Sequence, residues 1–264
     1  MTRLPVHTAI YGDFTISYNM NLFEELGRFC NLLYKTLRSS TEVKTYGSNL
    51  LLEMIKTGYD SLPIILLTGV FTGSVMTIQT AYQLTTSLIP KSTIGAIVTQ
   101  STVIELAAVI SGLVLAGRVG ARIATELGTM RVSEQIDALE SMGFNSVTYL
   151  VMPRLLAGIV MFPLLYVFAA TSGIIGGVAS GALLGTLAPA EFMTGAQQYF
   201  FGSDVVFGLT KSLVFGFIIT AIACYKGYYA TGGAEGVGKA TTQATVLSCI
   251  YILFADLILA SILL

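Results

Sequence analysis

The sequence predicts an all-α integral membrane protein, in which an amphipathic N-terminal helix at the membrane surface precedes five transmembrane helices. Hydrophobic residues make up 54% of its 264 residues and charged residues only 11%, whereas soluble domains carry roughly 25% charged residues. Its mean hydropathy is +0.76, and several apolar runs approach the ~20 residues that a helix needs to cross a bilayer. The net charge of -1 provides no basic surface for nucleic acid. We therefore expect lipid, and not nucleic acid, to surround most of the chain.

The first 60 residues are predicted to form an N-terminal tail and an interfacial helix. Between residues 20 and 38 the apolar side chains recur at helical spacing; they are Leu22, Leu26, Phe29, Leu33 and Leu37. The charged residues of this segment lie on the other faces, so the helix is amphipathic. Such a helix can lie in the plane of the membrane surface with its apolar face down. Packing of the helix on the rest of the chain is the alternative.

Residues 61–264 are predicted to form the transmembrane domain. Apolar segments long enough to span the bilayer lie at about 62–82, 94–117, 155–187, 205–225 and 242–264. The segment 155–187 has 33 residues without a charge, which is long for one span and short for two spans with a turn. We count it as one long, tilted helix. Residues 118–154 contain four arginines and four acidic residues, which predict a water-exposed loop with its own helices.

The distribution of Lys and Arg decides between five and six spans, because these residues accumulate in cytoplasmic loops. Five spans with a cytoplasmic N-terminus place twelve of the fourteen Lys and Arg residues inside, leaving Lys91 outside and Lys211 within a span. Folding 155–187 into a hairpin would give six spans and move Lys226 and Lys239 to the outside. We therefore predict five spans, with the N-terminus in the cytoplasm and the C-terminus on the opposite side.

Three charged residues interrupt the apolar spans: Glu105 in the second, Lys211 in the fourth and Asp256 in the fifth. An ionised group near the bilayer centre costs at least ~2.5–3.5 kcal/mol and normally faces a partner or a water-filled cavity. With a helical rise of about 1.5 Å per residue, the five-span topology places all three within roughly 6 Å in depth. We predict that Lys211 pairs with Glu105, Asp256 or both. Two interpretations stay open: the charges line a substrate path, or they fix helix packing.

Four glycines recur at every fourth position of the third apolar segment. They are Gly173, Gly177, Gly181 and Gly185. This spacing places them along one stripe of a helix, where a second helix can approach closely. Gly69 and Gly73 form a shorter stripe in the first span. We predict a helix contact at the longer stripe, either within one chain or across a homodimer.

The segment from Gly117 to Gly143 has the pattern of an amphipathic helix. One helical face carries Val132, Ile136 and Leu139, and another carries Glu134, Asp137 and Glu140. We predict a helix that docks on a cytoplasmic partner. A solvated amphipathic loop shows the same periodicity and stays open as the alternative.

No chemistry is expected within the chain itself. The segment Gly232–Thr241 has glycines and a lysine at phosphate-loop spacing, but Ala240 stands where Ser or Thr binds magnesium, and no buried strand precedes it. The one histidine, His7, lies in the N-terminal tail, and no His, Cys and Asp cluster has metal-ligand spacing. We expect no nucleotide site, catalytic residue, metal or cofactor in this chain.

Three stretches resemble one family, the MlaE/YrbE permeases: VIEL at 103–106, AGRVGARIATELGTMRVSEQIDALESMG at 116–143 and GYYATGGAEGVGKATTQATV at 227–246. The resemblance runs from about residue 45 to the C-terminus. These permeases are the membrane subunits of ABC transporters that work with MCE-domain proteins. The resemblance implies glycerophospholipid transport between the inner and outer membranes of a bacterium. It also implies a location in the inner membrane with the C-terminus in the periplasm, the plastid inner envelope being the alternative.

The resemblance also implies a set of partners. The chain would form a homodimer and bind cytoplasmic ATPase subunits, which hold the ATP and magnesium, often together with a small accessory subunit. On the periplasmic side it would meet a ring of lipid-binding MCE domains. The chain itself would be a transport subunit without an ATPase site.

The family pattern assigns roles to two groups of residues. The segment Glu126–Gly143 matches the part that contacts the ATPase, and its charged positions are Glu126, Arg131, Glu134, Asp137 and Glu140. Charged positions that the family also places within its spans are matched by Glu105, Lys211 and Asp256. In one departure, Ala107 and Ala108 stand where the family has Gly-Pro after Glu-Leu. This sequence therefore lacks the proline that would kink the helix at that position.

Two other classes of protein stay open. An ion-coupled secondary transporter would use Glu105, Asp256 and Lys211 as its proton site and would run without an ATPase. A membrane-bound lipid-modifying enzyme would need a base beside a nucleophile, and the sequence offers no such pair.

Overall fold

The computed structural model describes residues 22–38, 43–84 and 90–263, and all regular secondary structure in these ranges is helical. Five helices within them are long and apolar enough to cross a membrane: Asn49–Gln83, Ser92–Val132, Val147–Leu183, Gly202–Tyr228 and Gly233–Leu263. The predicted all-α fold with five spans is confirmed. The predicted tail, with His7, lies outside the described residues.

The α-helices are numbered in chain order. They are α1 (Leu22–Arg38), α2 (Val43–Thr57), α3 (Leu62–Gln83), α4 (Ser92–Ser101), α5 (Ala107–Leu115), α6 (Ala121–Val132), α7 (Gln135–Ser141), α8 (Met152–Leu183), α9 (Pro189–Gln198), α10 (Gly202–Tyr228) and α11 (Gly233–Leu263). Short π-helical turns lie at Thr102–Leu106, Ala116–Gly120 and Val147–Val151. Helix α2 is not among the predicted elements, because its leucines at 50–52 are consecutive and show no helical period.

The helix that contains the second span continues beyond residue 117. It runs from Ser92 to Val132, so residues 118–132 prolong this helix and do not form a separate loop. In α6, Ile123, Ala124 and Leu127 are fully buried, and the helix packs against α10 and α11. The stretch is helical as predicted, and Arg122 forms contacts within the protein that a count of charges along the chain cannot detect.

The apolar segment 155–187 forms one continuous helix, α8, which passes through Pro163 and ends at Leu183. Gly185 therefore lies beyond the helix and does not belong to the packing stripe. Its φ is +64°, and the backbone N–H groups of Gly185 and Thr186 donate to the carbonyls of Ala182 and Gly181. This is a Schellman arrangement, in which glycine takes the left-handed conformation without the penalty that a Cβ would bring. Gly185 ends the helix.

The other glycines of the stripe lie where α3 and α8 meet within one chain. A Cβ added at Gly73 would overlap the backbone of Gly173, and a Cβ added at Gly176 would overlap the backbone of Val70. Two further members of the predicted stripe, Gly177 and Gly181, both face the side chain of Thr77. The small residues therefore let two membrane helices approach to backbone contact, which larger residues would prevent.

Helix α10 is the centre of the bundle. Its residues Phe215, Ile219 and Ala223 are fully buried, and α5, α6, α8 and α11 pack around it. The arginine-rich end of the bundle is the end that holds Arg118, Arg122, Arg131 and Arg154. Helix α9 lies at the opposite end and packs on α4, where Gly95 and Gly195 allow close approach.

Helix α1 packs on the arginine-rich end through one side only. The ring of Phe29 meets the edge of Tyr225 with centroids 5.4 Å apart, and Leu32 is buried. Lys226 Nζ lies 2.5 Å from Glu25 Oε1. Leu26, on the predicted apolar face, is exposed. The side of α1 that carries Phe29 and Leu32 therefore packs on the rest of the chain, which is the alternative given above. The location of its other apolar side at the membrane surface stays a prediction.

Candidate functional site

An ion triad centred on a buried lysine joins three helices within the apolar part of the bundle. Lys211 on α10 has 0% of its side chain exposed, and its Nζ lies 2.6 Å from Glu105 Oε2 and 2.7 Å from Asp256 Oδ1 on α11. The ammonium also lies 4.6 Å from the centre of the Phe207 ring, at which distance a ring attracts a cation. Lys211 therefore contacts both of the carboxylates that the helical depths assign to it.

Glu105 stands in the π-helical turn Thr102–Leu106. Tyr166 of α8 donates its hydroxyl to Val103 O at 2.8 Å, and the Thr102 hydroxyl donates to Val98 O at 2.6 Å. These bonds satisfy backbone carbonyls around a turn whose hydrogen-bond register differs from that of an α-helix. A π-turn can bend a helix as a proline does. It lies immediately before Ala107 and Ala108, where the sequence lacks the Gly-Pro of the family it resembles.

Glu105 is the accessible member of the triad. Its side chain is 40% exposed, compared with 17% for Asp256. It opens into a groove of about 460 Å³ that is lined by Met76, Gln100, Ser101, Ile104, Glu105 and Leu106. The groove is mostly apolar and open on one side, and its polar side chains are Gln100, Ser101 and Glu105. With both acids ionised, the triad carries a net charge of -1.

The predicted docking segment forms two helices and not one. Helix α6 ends at Val132, and Glu134, with a φ of 60°, starts α7 in a new direction. Ile136 is fully buried and holds α7 on the bundle, whereas Val132 is exposed. The predicted common face of Val132 and Ile136 is therefore wrong, because the left-handed residue between them breaks the helical period.

The charged positions of this segment differ in their surroundings. Glu134 and Asp137 are exposed, and Asp137 pairs with Arg131 at 2.6 Å. Glu140 accepts hydrogen bonds from Ser146 and Tyr228. Just after α7, two large apolar side chains, Met142 and Phe144, are exposed. The arginine-rich end thus presents an acidic and apolar surface, which we call the α7 surface (Glu134, Asp137, Met142 and Phe144).

The sequence profile of the family described as Permease MlaE matches residues 50–262. The chain belongs to this family. Among curated relatives, a probable ABC transporter permease of Rickettsia bellii is 37% identical over 243 residues, covering 92% of this chain and 93% of the relative. The intermembrane phospholipid transport system permease MlaE of Haemophilus influenzae is 30% identical over 244 residues, covering 92% and 93%.

A plant protein is also similar to this MlaE-family permease. It is the chloroplast protein TRIGALACTOSYLDIACYLGLYCEROL 1 of Arabidopsis thaliana, which is 39% identical over 222 residues. The similarity covers 83% of this chain and 62% of the plant protein. The family profile covers residues 50–262, so the triad and the α7 surface both lie within the part of the chain that it matches.

In this MlaE-family permease, Glu126 belongs to an ion network that the sequence analysis missed. Glu126 accepts hydrogen bonds from Arg122 at 3.0 Å and from Arg154 at 3.1 Å. Glu53 of α2 accepts from Arg122 at 3.1 Å and lies 3.5 Å from Arg154 Nε. Lys56 lies 3.7 Å from Glu53. The network joins α2, α6 and α8, and it holds Glu126 within the bundle and away from the α7 surface.

We expect Arg154→Met to lower the free energy of unfolding by about 2 kcal/mol, because removal of one partner of a buried ion pair costs ~3–5 kcal/mol and Arg122 still neutralises part of the network. The matched control is Arg131→Met, which breaks the half-exposed pair with Asp137 and should cost ~0–1 kcal/mol. The loss of folded, monodisperse protein on heating in detergent measures the stability of both variants. Equal effects of the two variants would contradict the assigned difference in burial.

Proposed function

We propose that this chain is the membrane subunit of an ABC transporter that moves phospholipids between the inner and outer membranes. In the proposed complex, a separate ATPase subunit supplies the energy and an MCE-domain protein receives or delivers the lipid. The observation that carries the proposal is the groove between α3 and the second span, where one carboxylate of the buried triad meets an apolar wall. Membership of the MlaE family and the phospholipid transport named for the Haemophilus relative support it.

The proposed orientation puts the arginine-rich end in the cytoplasm. Positive residues favour the cytoplasmic side, so the N-terminus is cytoplasmic and the C-terminus periplasmic in an inner membrane, or correspondingly oriented in a plastid envelope. The α7 surface then faces the cytoplasm, where its exposed Met142 and Phe144 offer apolar anchors to an ATPase subunit. Glu134 and Asp137 lie beside them as its charged rim. The periplasmic end is left for the MCE protein.

The triad gives this arrangement a way to respond to the ATPase. Lys211, Glu105 and Asp256 lie on three different parts of the bundle, so a movement of α10 relative to its neighbours changes their distances. Ion pairs at membrane depth are costly to separate, which favours discrete arrangements of the helices. We propose that acyl chains occupy the apolar wall of the groove while Glu105 faces the polar head group. A second copy of this chain completes the cavity in a homodimer, to which a small accessory subunit also binds.

Purification from native membranes in mild detergent tests the partners. We expect an ATPase subunit and an MCE-domain protein to co-elute with this chain, and reconstituted complex to transfer phospholipid only when ATP is supplied. Subunits that are purified separately and then mixed provide the control. Repeated absence of both partners, with the chain itself intact, would count against the proposed complex.

An ion-coupled secondary transporter is the second candidate. It is favoured by one observation, that two carboxylates share a single ammonium and that one of them, Glu105, is accessible. A proton at either acid would neutralise the triad, as in the proton relays of transporters. Liposomes that contain this chain alone discriminate between the two functions: lipid movement driven by a proton gradient would support this candidate, and movement that needs the ATPase would exclude it.

A further inference from the structure

A cluster of three polar side chains joins the segment after α7 to the end of α10. Ser146 Oγ lies 2.5 Å from Glu140 Oε1 and 2.7 Å from the hydroxyl oxygen of Tyr228. The Tyr228 hydroxyl lies 3.1 Å from the same Glu140 oxygen. Ser146 and Tyr228 are both buried. Each side chain of the cluster therefore touches the other two, and the cluster is the polar bridge between the α7 surface and α10.

The protons of this cluster indicate how it is bonded. Each of the two hydroxyl groups has one proton, and both donate to the same Glu140 oxygen, as hydroxyls do to an ionised carboxylate, which only accepts. The hydrogen bonds from Ser146 and then from Tyr228 hold the pKa of Glu140 below its usual value. Hydrogen bonds to a charged acceptor are stronger than those between neutral groups. The bridge is thus a charge-assisted contact and not a chance approach of surface side chains.

Helix α10 connects this bridge to the ion triad. Tyr228 is the last residue of α10 and Lys211 lies on the same unbroken helix, ~25 Å away at a rise of about 1.5 Å per residue. The adjacent Gly227 packs on α6, where a Cβ would lie 2.8 Å from Ala124 O and 2.9 Å from Leu127 Cβ. The end of α10 is therefore clamped between α6 on one side and the Glu140 cluster on the other.

We propose that the Tyr228 hydroxyl is a positioning contact, through which movement of the ATPase-facing segment reaches Lys211. The inference rests on the proposed function. A pull on α7 moves Glu140, the hydrogen-bonded hydroxyl carries that movement to α10, and α10 shifts Lys211 relative to Glu105 and Asp256. Without the hydroxyl, the ring of Tyr228 still packs in the core but slides past Glu140. ATP hydrolysis then continues with less lipid moved for each ATP.

The test compares Tyr228→Phe with Tyr229→Phe in the complete complex. Tyr229 is the next residue, is exposed, and touches Tyr225 and Tyr228 through its ring, so its variant loses one hydroxyl outside the cluster. Complexes are reconstituted in liposomes of phosphatidylethanolamine and phosphatidylglycerol that contain a fluorescent phospholipid. Lipid transfer and ATP hydrolysis are measured on the same samples. The quantity compared is the amount of lipid moved for each ATP hydrolysed.

We expect Tyr228→Phe to assemble normally, to hydrolyse ATP within about twofold of wild type and to move about tenfold less lipid per ATP, the equivalent of one hydrogen bond to a charged group. Tyr229→Phe should match wild type. Glu140→Gln should give a similar loss, and the double variant should lose no more than the stronger single variant, because both changes remove one contact. A merely structural role would lower assembly and ATP hydrolysis together.

Three results overturn the inference while leaving the proposed function intact. The first is a wild-type ratio of lipid to ATP in Tyr228→Phe, and the second is a parallel fall of assembly, ATP hydrolysis and transport. The third is a full multiplication of the two losses in the double variant. If wild-type complex hydrolyses ATP but moves no lipid, the proposed function itself fails and this inference falls with it.

Discussion

The Lys211→Ala permease is expected to assemble with its partners and to move no measurable phospholipid. The substitution removes the ammonium that lies within 2.7 Å of two carboxylates. Removal of one partner of a buried ion pair costs about 3–5 kcal/mol, so the remaining acids must draw in water or protons and the groove beside Glu105 changes. ATP-driven transfer of a fluorescent phospholipid from proteoliposomes, measured beside co-purification of the partners, checks this result.

A second variant separates the charge of the triad from its packing. The combined change Lys211→Met, Glu105→Gln and Asp256→Asn keeps approximately the same volumes and removes all three charges. Replacement of a whole buried ion pair by hydrophobic residues of similar volume is often harmless to stability, and neutral amides avoid the unpaired charges that Lys211→Ala leaves, so we expect this variant to recover part of the thermal stability that Lys211→Ala loses. If the charges serve transport, it stays inactive. Wild-type transport by Lys211→Ala would instead reduce Lys211 to a packing residue.

The composition of the triad follows from the sequence because two physical rules constrain it. Ionised groups in a span are costly and need partners, and a fixed helical rise converts residue counts into depth. Together they predict that Lys211 pairs with Glu105, Asp256 or both, and in the structure it contacts both. The π-turn that holds Glu105 has no comparable signal, since Thr102–Leu106 differs little in composition from the helix around it.

The arginine-rich end shows where sequence patterns fail. Arg122 and Arg154 suggest a water-exposed loop when only their number is considered, yet they pair with Glu53 and Glu126 inside the bundle. Only the pair of Arg122 with Glu126 is local; Arg122 and Glu53 are 69 residues apart and Arg154 and Glu126 are 28 apart, so no local pattern connects those pairs. Tertiary ion pairs therefore hold these arginines against the bundle. The contact of Glu140 with Tyr228, which joins α7 to α10, escapes sequence analysis for the same reason.

The prediction of the glycine stripe is correct for Gly173 and wrong for Gly185, and helical geometry explains both results. A spacing of four residues identifies one line along a helix, and Gly173 lies on that line against α3. Helical geometry also allows the neighbouring position at three residues, which is Gly176, and this residue touches Val70. The spacing carries no information on where the helix stops, so Gly185 fits the pattern but serves as the helix end.

Of the alanine variants at Gly73, Gly173 and Gly117, Gly73→Ala is expected to cause the largest loss of stability, ~3 kcal/mol or more. Overpacking of a core costs ~1–3 kcal/mol when side chains can adjust, but the new Cβ would overlap the backbone of Gly173. Backbone cannot rotate away, so α3 and α8 must separate and lose contacts along their whole interface. Loss of monodisperse protein on heating in detergent measures the effect. We also expect a reduced yield from membranes.

Two further substitutions turn this expectation into a ranking. Gly173→Ala meets the Thr102 side-chain methyl at 2.9 Å, and since a side chain can shift, its loss should lie below that of Gly73→Ala. Gly117→Ala meets nothing within 4 Å and should be neutral or stabilising by up to ~1 kcal/mol, because alanine favours helix over glycine. Loss of stability should thus fall in the order Gly73, Gly173, Gly117. If Gly73→Ala is as stable as Gly117→Ala, the helices do not approach to backbone contact at this point, and the α3 and α8 interface described above is wrong.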